Sequence, residues 1–475
     1  SAGPIDAGPT VLTMRSVFDE LFKSIGEPLD KHLMLIRQKI LARHWWPDGS
    51  TLDLFDDYET SQQAIYEFAG LTSFKEFQKF FQKTKRLFEA LDIPMMQTSE
   101  PSQWDMAKLM IKRPSLARDI APLHTMASKL AQQFSDPRLA QLFGRYATYV
   151  GGSPYGSPAL LSLIWQAEAK GVWGIQGGMH LLAQKLMKLA IERHAEFVFN
   201  TKVKRILLQD GHATGVLLEN GEQRIANIVV FNGDPRALAT GELGPEFKEV
   251  AKECLEDERS LSARVWSFEA QANGPDLIRH NVFFASNPKS EFDDIKAGRM
   301  PSEPTIYVCA QDRGLNAGYP ERERFEIILN APPVSRARPV KEEFETCRTL
   351  TMKTLERFGL TFTPQPTEMA LTTPKDFEKM FPASDGSLYG QSPHGLTAAF
   401  RRPTSRTKIM GLYLTGGGTH PGAGVPMATL SARHAVEAIL KDRISTSPSP
   451  QMATLGGMSM ASVTQQNAQF RSSDS

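Results

Sequence analysis

Five glycines crowd the stretch Gly416-Gly417-Gly418-Thr419-His420-Pro421-Gly422-Ala423-Gly424-Val425-Pro426, and glycine lets a backbone approach a ligand because no Cβ intervenes. Leu412-Tyr413-Leu414 leads in as a short apolar strand, and Ala428, Ala432, Ala435, Val436 and Ile439 follow at helical spacing. Pro426, near the helix start, gives up an N–H that would have no partner there. The pattern predicts a helix N-terminus and bare amides turned toward something anionic. The bland alternative is an ordinary glycine turn before a helix, since a glycine fingerprint takes its meaning from context.

Chemistry that strips a proton needs a base, and the chain offers Asp136, Glu168 and His394. Each also has a structural reading: Asp136 as an N-cap before Pro137, Glu168 as a solvated helix residue, His394 as a solvated turn residue. His44, next to Trp45 and Trp46, reads as packing. Cys254, Cys309 and Cys347 lack paired spacing, so they read as reduced thiols of a cytoplasmic protein, with no disulfide frame and no metal site.

The elements that must position these residues follow in order. Ile5-Asp6-Ala7-Gly8-Pro9-Thr10 is a turn, and a helix is expected around Ser16 to Ile25. Pro47-Asp48-Gly49 between apolar runs predicts a hairpin over Ile40 to Leu54. From Thr60 to Leu91 a helical pattern sets Phe68, Leu71, Phe74, Phe77, Phe81 and Phe88 among Lys75, Lys79, Lys83, Lys85 and Arg86. It is either an interfacial membrane helix or a surface helix over a core. Further helices are expected over Trp104 to Gln133, from Pro137, over Ala159 to Gln166 and up to Glu192. Strands are expected at Ala195 to Asn200, Val203 to Leu208, Ala213 to Leu218 and Asn227 to Phe231. Four more alternate with loops over residues 260–330, then a helix runs from Val340 to Phe358. The Ser-, Gln- and Met-rich tail beyond Arg443 is expected to be disordered.

A length of 475 residues allows two or more domains, and a net charge of +1 argues against nucleic acid as a partner. No run of about eighteen apolar residues is present, which excludes a transmembrane helix, and no signal-peptide pattern occurs.

G-G-G-T-H-P-G-A-G-V-P and D-A-G-P-T together resemble the phytoene desaturase family of carotenoid desaturases. W-W-P-D-G-S-T-L-D-L, with D-A-G-P-T-V-L-T-M-R, resembles its hydroxycarotenoid branch, the 1-hydroxycarotenoid 3,4-desaturases. The resemblance implies an α/β, amine-oxidase-like fold: a Rossmann-like FAD-binding domain with an inserted helical and antiparallel-sheet substrate domain. It divides the chain into an FAD-domain remainder with hairpin (1–55), a helical substrate and membrane-facing insert (56–170), an FAD-domain return (171–240), a sheet-bearing substrate domain (241–400), a C-terminal FAD segment (401–442) and the tail (443–475). FAD is the implied cofactor, met by Gly8, Pro9, Thr10, Gly178, Val203, Asp234, Gly416, Gly417, Gly418, Thr419, Gly422, Val425, Pro426 and Met427. Where wider relatives carry an acidic residue in the C-terminal turn this chain has Gly-Thr, so backbone contacts should dominate. A polyene tunnel is implied at Phe143, Tyr146, Tyr149 and Tyr155, and Tyr146 and Tyr149 are candidates for recognising a substrate hydroxyl.

The implied activity is desaturation at C3–C4 of an acyclic 1-hydroxy- or 1-methoxycarotenoid by hydride transfer to flavin, at the inner or photosynthetic membrane surface of a bacterium. Phytoene desaturation, redox-neutral carotenoid isomerisation and a non-catalytic carotenoid-binding role are the alternatives. No G-x-G-x-x-G follows a strand near Ser1, so one βαβ unit of the cofactor domain is expected to be missing and FAD binding to be weak without it. Composition leaves the oligomeric state open.

Overall fold

The computed structural model describes residues 3–315 and 318–446. Its centre is a mixed sheet that includes, in spatial order, Thr361–Thr363, Ser262–Asn273, Glu323–Ala331, Ile306–Ala310, His280–Phe283, Ile40–Trp45 and Thr51–Phe55. The pairs are antiparallel except for His280–Phe283 against Ile40–Trp45. Side chains alternate across a strand, and the alternation gives this sheet two unlike faces. Trp266, Phe268, Phe283, Ile306, Val308, Phe325, Ile327 and Leu329 form one buried core with Cys347 and Leu355 of the helix Glu343–Glu356. The opposite face carries Tyr307 and Val282 toward the helical insert.

The insert begins with the helix Tyr58–Leu91, capped by Asp57, whose carboxylate accepts from Thr60 N at 2.7 Å. Gly70, at φ 79° and ψ −176°, breaks the helix in two. Its phenylalanines turn inward: Phe77 and Phe80 pack with Phe134, Phe143 and Trp165. The Phe-rich face is therefore core, and the surface-helix reading holds. Burying each such ring is worth about 1.5–3 kcal/mol.

Hydrogen-bonded elsewhere are a parallel pair, Val229–Phe231 with Leu412–Leu414, and a three-stranded sheet, Val203–Gln209, His212–Leu218 and Gln223–Ile225. Asp210 and Gly211 both have positive φ, as a two-residue hairpin turn demands. The helix Val425–Thr446 follows Leu412–Leu414 across the glycine turn.

Three expectations need correction. Ala195 to Asn200 is not a strand: Phe197, Val198 and Phe199 are exposed, and no ladder among the described residues includes them. Trp104 to Gln133 is three helices, Gln103–Lys112, Pro114–Ile120 and Met126–Gln133, the first two separated ahead of Pro114. Ala159–Ile164 is a 3₁₀ segment that passes into the α-turn Trp165–Ala169. The expected tail falls almost wholly outside the described residues, and the helix runs through its first positions.

Candidate active site

The glycine turn divides its glycines between two tasks. A Cβ on Gly416 would lie 2.5 Å from Asn232 Oδ1, and one on Gly418 would lie 2.6 Å from Pro235 Cδ. These two glycines admit the turn Asn232–Pro235, so chain packing, rather than a ligand, demands them. Gly424 differs: it is exposed, at φ 109°, and a Cβ there would meet only Pro426 Cδ, at 4.0 Å. The first helical hydrogen bond runs from Ala428 N to Gly424 O at 2.9 Å. The amides of Val425 and Met427 precede that ladder, so a ligand acceptor can take them. Ser431 anchors the turn by accepting from Gly416 N at 2.8 Å, and Arg402 donates to Gly417 O at 2.9 Å. Arg402 also donates to Tyr389 O and Gln391 O, and burial draws its pKa down to about 10. Thr419 is fully buried, with its hydroxyl turned back to Thr415 O. Gly422, at φ 134°, sits against Arg402, while Pro426 is buried under the helix start.

The N-terminal motif reaches the site by a different route. Asp6 caps the helix His180–Ile191, accepting from Met179 N at 2.7 Å and His180 N at 3.0 Å. A Cβ on Gly178 would strike Asp6 Oδ2 at 2.8 Å. Asp6 is further tied to Gln311 through both its N–H and its C=O. Gly8 faces open space, with no atom within 4 Å of a Cβ position. Thr10 is buried and its hydroxyl meets Tyr307 Oη at 2.9 Å. Bare surfaces at Gly8 and Gly424, together with the free helix-start amides, fit a flat, anionic dinucleotide cofactor held by backbone. Val203, half-buried, opens the strand Val203–Gln209 opposite Leu218.

The carboxylate of Asp234, a residue of the implied cofactor set, accepts from Arg236 N at 3.0 Å and pairs with the guanidinium of Arg259. Arg259 is held in turn by two hydrogen bonds to Ser384 O.

The three base candidates lie apart. Asp136 caps the helix Pro137–Gly144 and pairs with Arg138 at 2.7 Å. His394 accepts from Ser153 N at 3.0 Å on Nε2, which leaves Nδ1 to donate to Glu258 at 3.1 Å. With Arg336 adding its charge, this bond holds the Glu258 carboxyl at about 2. Glu168 is the correction: it is buried, not solvated. It accepts from Tyr149 Oη at 2.5 Å and Tyr146 Oη at 2.6 Å, and pairs with Arg145 at 3.4 Å. Desolvation, with the Glu168 charge and hydrogen bond, pushes the Tyr149 phenol above its ordinary range against the opposing charge of Arg145.

The same cluster shows how the residues expected to line a tunnel are placed. Tyr146 is fully buried with its hydroxyl spent on Glu168, and Phe143 is enclosed by Phe80, Phe134 and Trp165 at centroid distances of 4.5, 5.3 and 5.4 Å. Tyr149 is half-buried, and half-buried Tyr155 stands away from that core, against Phe292 and Lys289. His44 packs as expected, stacked on Phe284, with Nδ1 on Leu52 O.

Sequence reasoning passed over Tyr307, His280 and Glu326, which share the insert-facing side of the sheet. His280 Nδ1 lies 2.7 Å from Tyr307 Oη. Glu326 was detectable as a lone acid inside Phe325-Glu326-Ile327-Ile328-Leu329. Among the described residues no cluster of His, Cys, Asp and Glu could hold a metal ion.

The sequence profile of flavin-containing amine oxidoreductases matches residues 3–261. The hydroxyneurosporene desaturase of Cereibacter sphaeroides is 51% identical over 446 residues, 94% of this chain and 90% of that protein. A protein of the same name from Rubrivivax gelatinosus is 41% identical, with 97% and 89% covered. Putrescine oxidase bound to putrescine shares the fold at a TM-score of 0.55 and 14% identity, covering 92% of this chain and 91% of that one. The chain therefore belongs to the flavin-containing amine oxidoreductases, among their carotenoid desaturases, and is a flavin-dependent oxidoreductase.

Proposed function

We propose that this protein desaturates the C3–C4 bond of an acyclic 1-hydroxycarotenoid. The observation that carries the reading is the 51% identity to a hydroxyneurosporene desaturase across 94% of the chain. When bound, FAD supplies the acceptor for a hydride from one carbon, while the neighbouring carbon loses a proton. The residues of this chain bind, orient and exclude water. Gly8 and Gly424 offer bare backbone, the Val425 and Met427 amides offer donors, and Asp6 fixes the Gly178 turn beside them. Tyr149 and the aromatic core behind it make the insert side of the site dry. Asp136, Glu168 and His394 are each committed to structural partners, so none is assigned the proton.

A carotenoid reaches the protein from a bilayer, and among the described residues no helix is long and apolar enough to cross one. The segment 92–123 suits surface attachment. Ile93, Trp104, Ile111 and Leu123 are 71, 79, 78 and 94% exposed. Lys108, Lys112, Arg113 and Arg118 lie exposed among them, with Glu100 and Asp105 as the exposed acids of that stretch. Exposed apolar anchors with basic neighbours match an anionic membrane surface. This attachment surface replaces the Thr60 to Leu91 helix, whose phenylalanines are core.

The test is product analysis: FAD-loaded protein with 1-hydroxyneurosporene should give a product lacking two hydrogens and absorbing further to the red. Conversion of phytoene alone would move the activity to phytoene desaturation, and an isomer of unchanged mass would move it to isomerisation.

A further inference from the structure

Four side chains form one cross-strand row on the insert-facing side of the central sheet: Ser267, Glu326, Cys309 and His280. The register sets Ser267 opposite Glu326, Glu326 opposite Cys309, and Cys309 opposite His280. Neighbours in such a row stand about 5 Å apart at Cβ. Glu326 is 0% exposed, and neither carboxyl oxygen has a hydrogen-bond partner; Ser267 Oγ and His280 Nε2 are also buried and unpartnered. Buried polar atoms are nearly always satisfied, so three orphaned groups in a single row leave hydrogen-bonding capacity that a partner from outside the chain can take.

The row adjoins Thr10, a residue of the implied cofactor set. Tyr307 stands two residues from Cys309 on the same strand face, and its hydroxyl joins Thr10 to His280. Tyr389 is only half-buried, and its hydroxyl makes no hydrogen bond among the described residues. The contrast with Glu168 is informative. That carboxylate is saturated by two phenols and an arginine, whereas Glu326 has its full hydrogen-bonding capacity left.

We propose that Glu326 is the specificity residue that receives the C1 hydroxyl of the substrate. The inference rests on the hydroxycarotenoid reading above. Bonds of about 1.5 Å put that hydroxyl roughly 3–5 Å from the C3–C4 bond. Its receptor must therefore lie close to the reacting carbons, as a row adjoining Thr10 does. Burial raises the Glu326 pKa well above the carboxylate range, with the Asp6 charge adding to the effect, and a protonated carboxyl both donates and accepts, as an alcohol does. A methoxy oxygen can only accept, and a hydrocarbon end leaves the acid stranded. The order of preference is hydroxy, then methoxy, then hydrocarbon, with hydroxy over hydrocarbon by at least about a hundredfold.

The experiment compares wild type, Glu326→Gln and Glu326→Met in the FAD-loaded protein. It measures kcat/KM and, without turnover, Kd from flavin absorbance for the three carotenoid ends. Glu326→Met should abolish the preference with FAD content unchanged, and Glu326→Gln, which still donates and accepts, should keep much of it. In the ligand-free protein Glu326→Met should raise Tm by removing a stranded acid, whereas a purely structural Glu326 would lower it. A preference that survives in Glu326→Met, by rate and by Kd, overturns the assignment while the functional reading stands. A wild type that neither binds nor converts the hydroxylated carotenoid overturns both.

Discussion

Replacing Glu168 with leucine tests whether the Arg145–Tyr146–Tyr149–Glu168 cluster holds the insert together. Carboxylate and guanidinium are 3.4 Å apart, each with under a tenth of its side chain exposed. At an effective dielectric of ~20 their attraction is roughly 5 kcal/mol. Two phenol hydrogen bonds to the charged acceptor add about 1.5–3 kcal/mol each, and desolvation of both ions takes back several kcal/mol. The intact cluster is thus near balance, but Glu168→Leu strands Arg145 in an aromatic enclosure, its guanidinium 4.4 Å from the Tyr146 ring centre. The expected loss is about 3–5 kcal/mol. An exposed pair such as Lys202–Glu219 would lose no more than about 1 kcal/mol. The double variant Arg145→Leu/Glu168→Leu removes both charges and should regain at least ~2 kcal/mol of that loss. Urea unfolding of the wild type, the single variants Glu168→Leu and Arg145→Leu, and the double variant closes the cycle. A single-variant loss below about 1 kcal/mol, or a double variant no more stable than Glu168→Leu, would refute the reasoning.

Glu291 carries a pH dependence whose sign is opposite to that of an ordinary ion pair. Burial lifts its carboxyl to about 7 despite bonds from Asn330 and Thr305. The fold holds that proton more tightly than the unfolded chain, so stability is full below pH ~4.5 and declines by roughly 3 kcal/mol as pH rises to about 7. Glu291→Gln should flatten that slope in urea midpoints taken at pH 5 and pH 8, and an unchanged slope would count against the assignment. Gly418→Ala should cost about 1–3 kcal/mol in the absence of FAD, because its methyl meets the fixed Pro235 ring. Gly8→Ala, with open space around it, should leave stability within ~0.5 kcal/mol yet weaken FAD binding by titration; equal affinity would remove Gly8 from the cofactor surface. Asp6→Ala should lose about 1 kcal/mol or more through the uncapped helix His180–Ile191.

Periodicity made most elements legible. The central sheet's strands, the Ile40 to Leu54 hairpin and the helix after the glycine turn follow from local pattern, since each residue's neighbours in sequence decide its face. Ala195 to Asn200 failed because a strand is made by its partner, and no neighbouring ladder takes up Phe197, Val198 and Phe199. Glu168 failed for the same reason at side-chain scale. An acid in Gln166-Ala167-Glu168-Ala169-Lys170 has the local signature of solvent, and only tertiary packing delivers two phenols and a guanidinium to it. Gly416 and Gly418 show the limit of motif reading: their spacing was visible, but their obligation to Asn232 and Pro235 was not.

Two buried acids then separate structure from function by their partners, not by their burial. Glu168 and Glu326 are both withdrawn from water. The cost of a buried polar group is recovered only when its hydrogen-bonding capacity is used. Glu168 recovers it within the chain, fixing the 3₁₀ segment Arg145–Val150 against the helix Trp165–Ala169 in a single geometry. Glu326 recovers nothing from the chain, although the surrounding strands are well packed on their other face. A sheet that places apolar side chains so regularly on one face has no packing reason to leave an unpaired acid on the other. The unused capacity of that row, beside Thr10 and Tyr307, is what the carotenoid must supply.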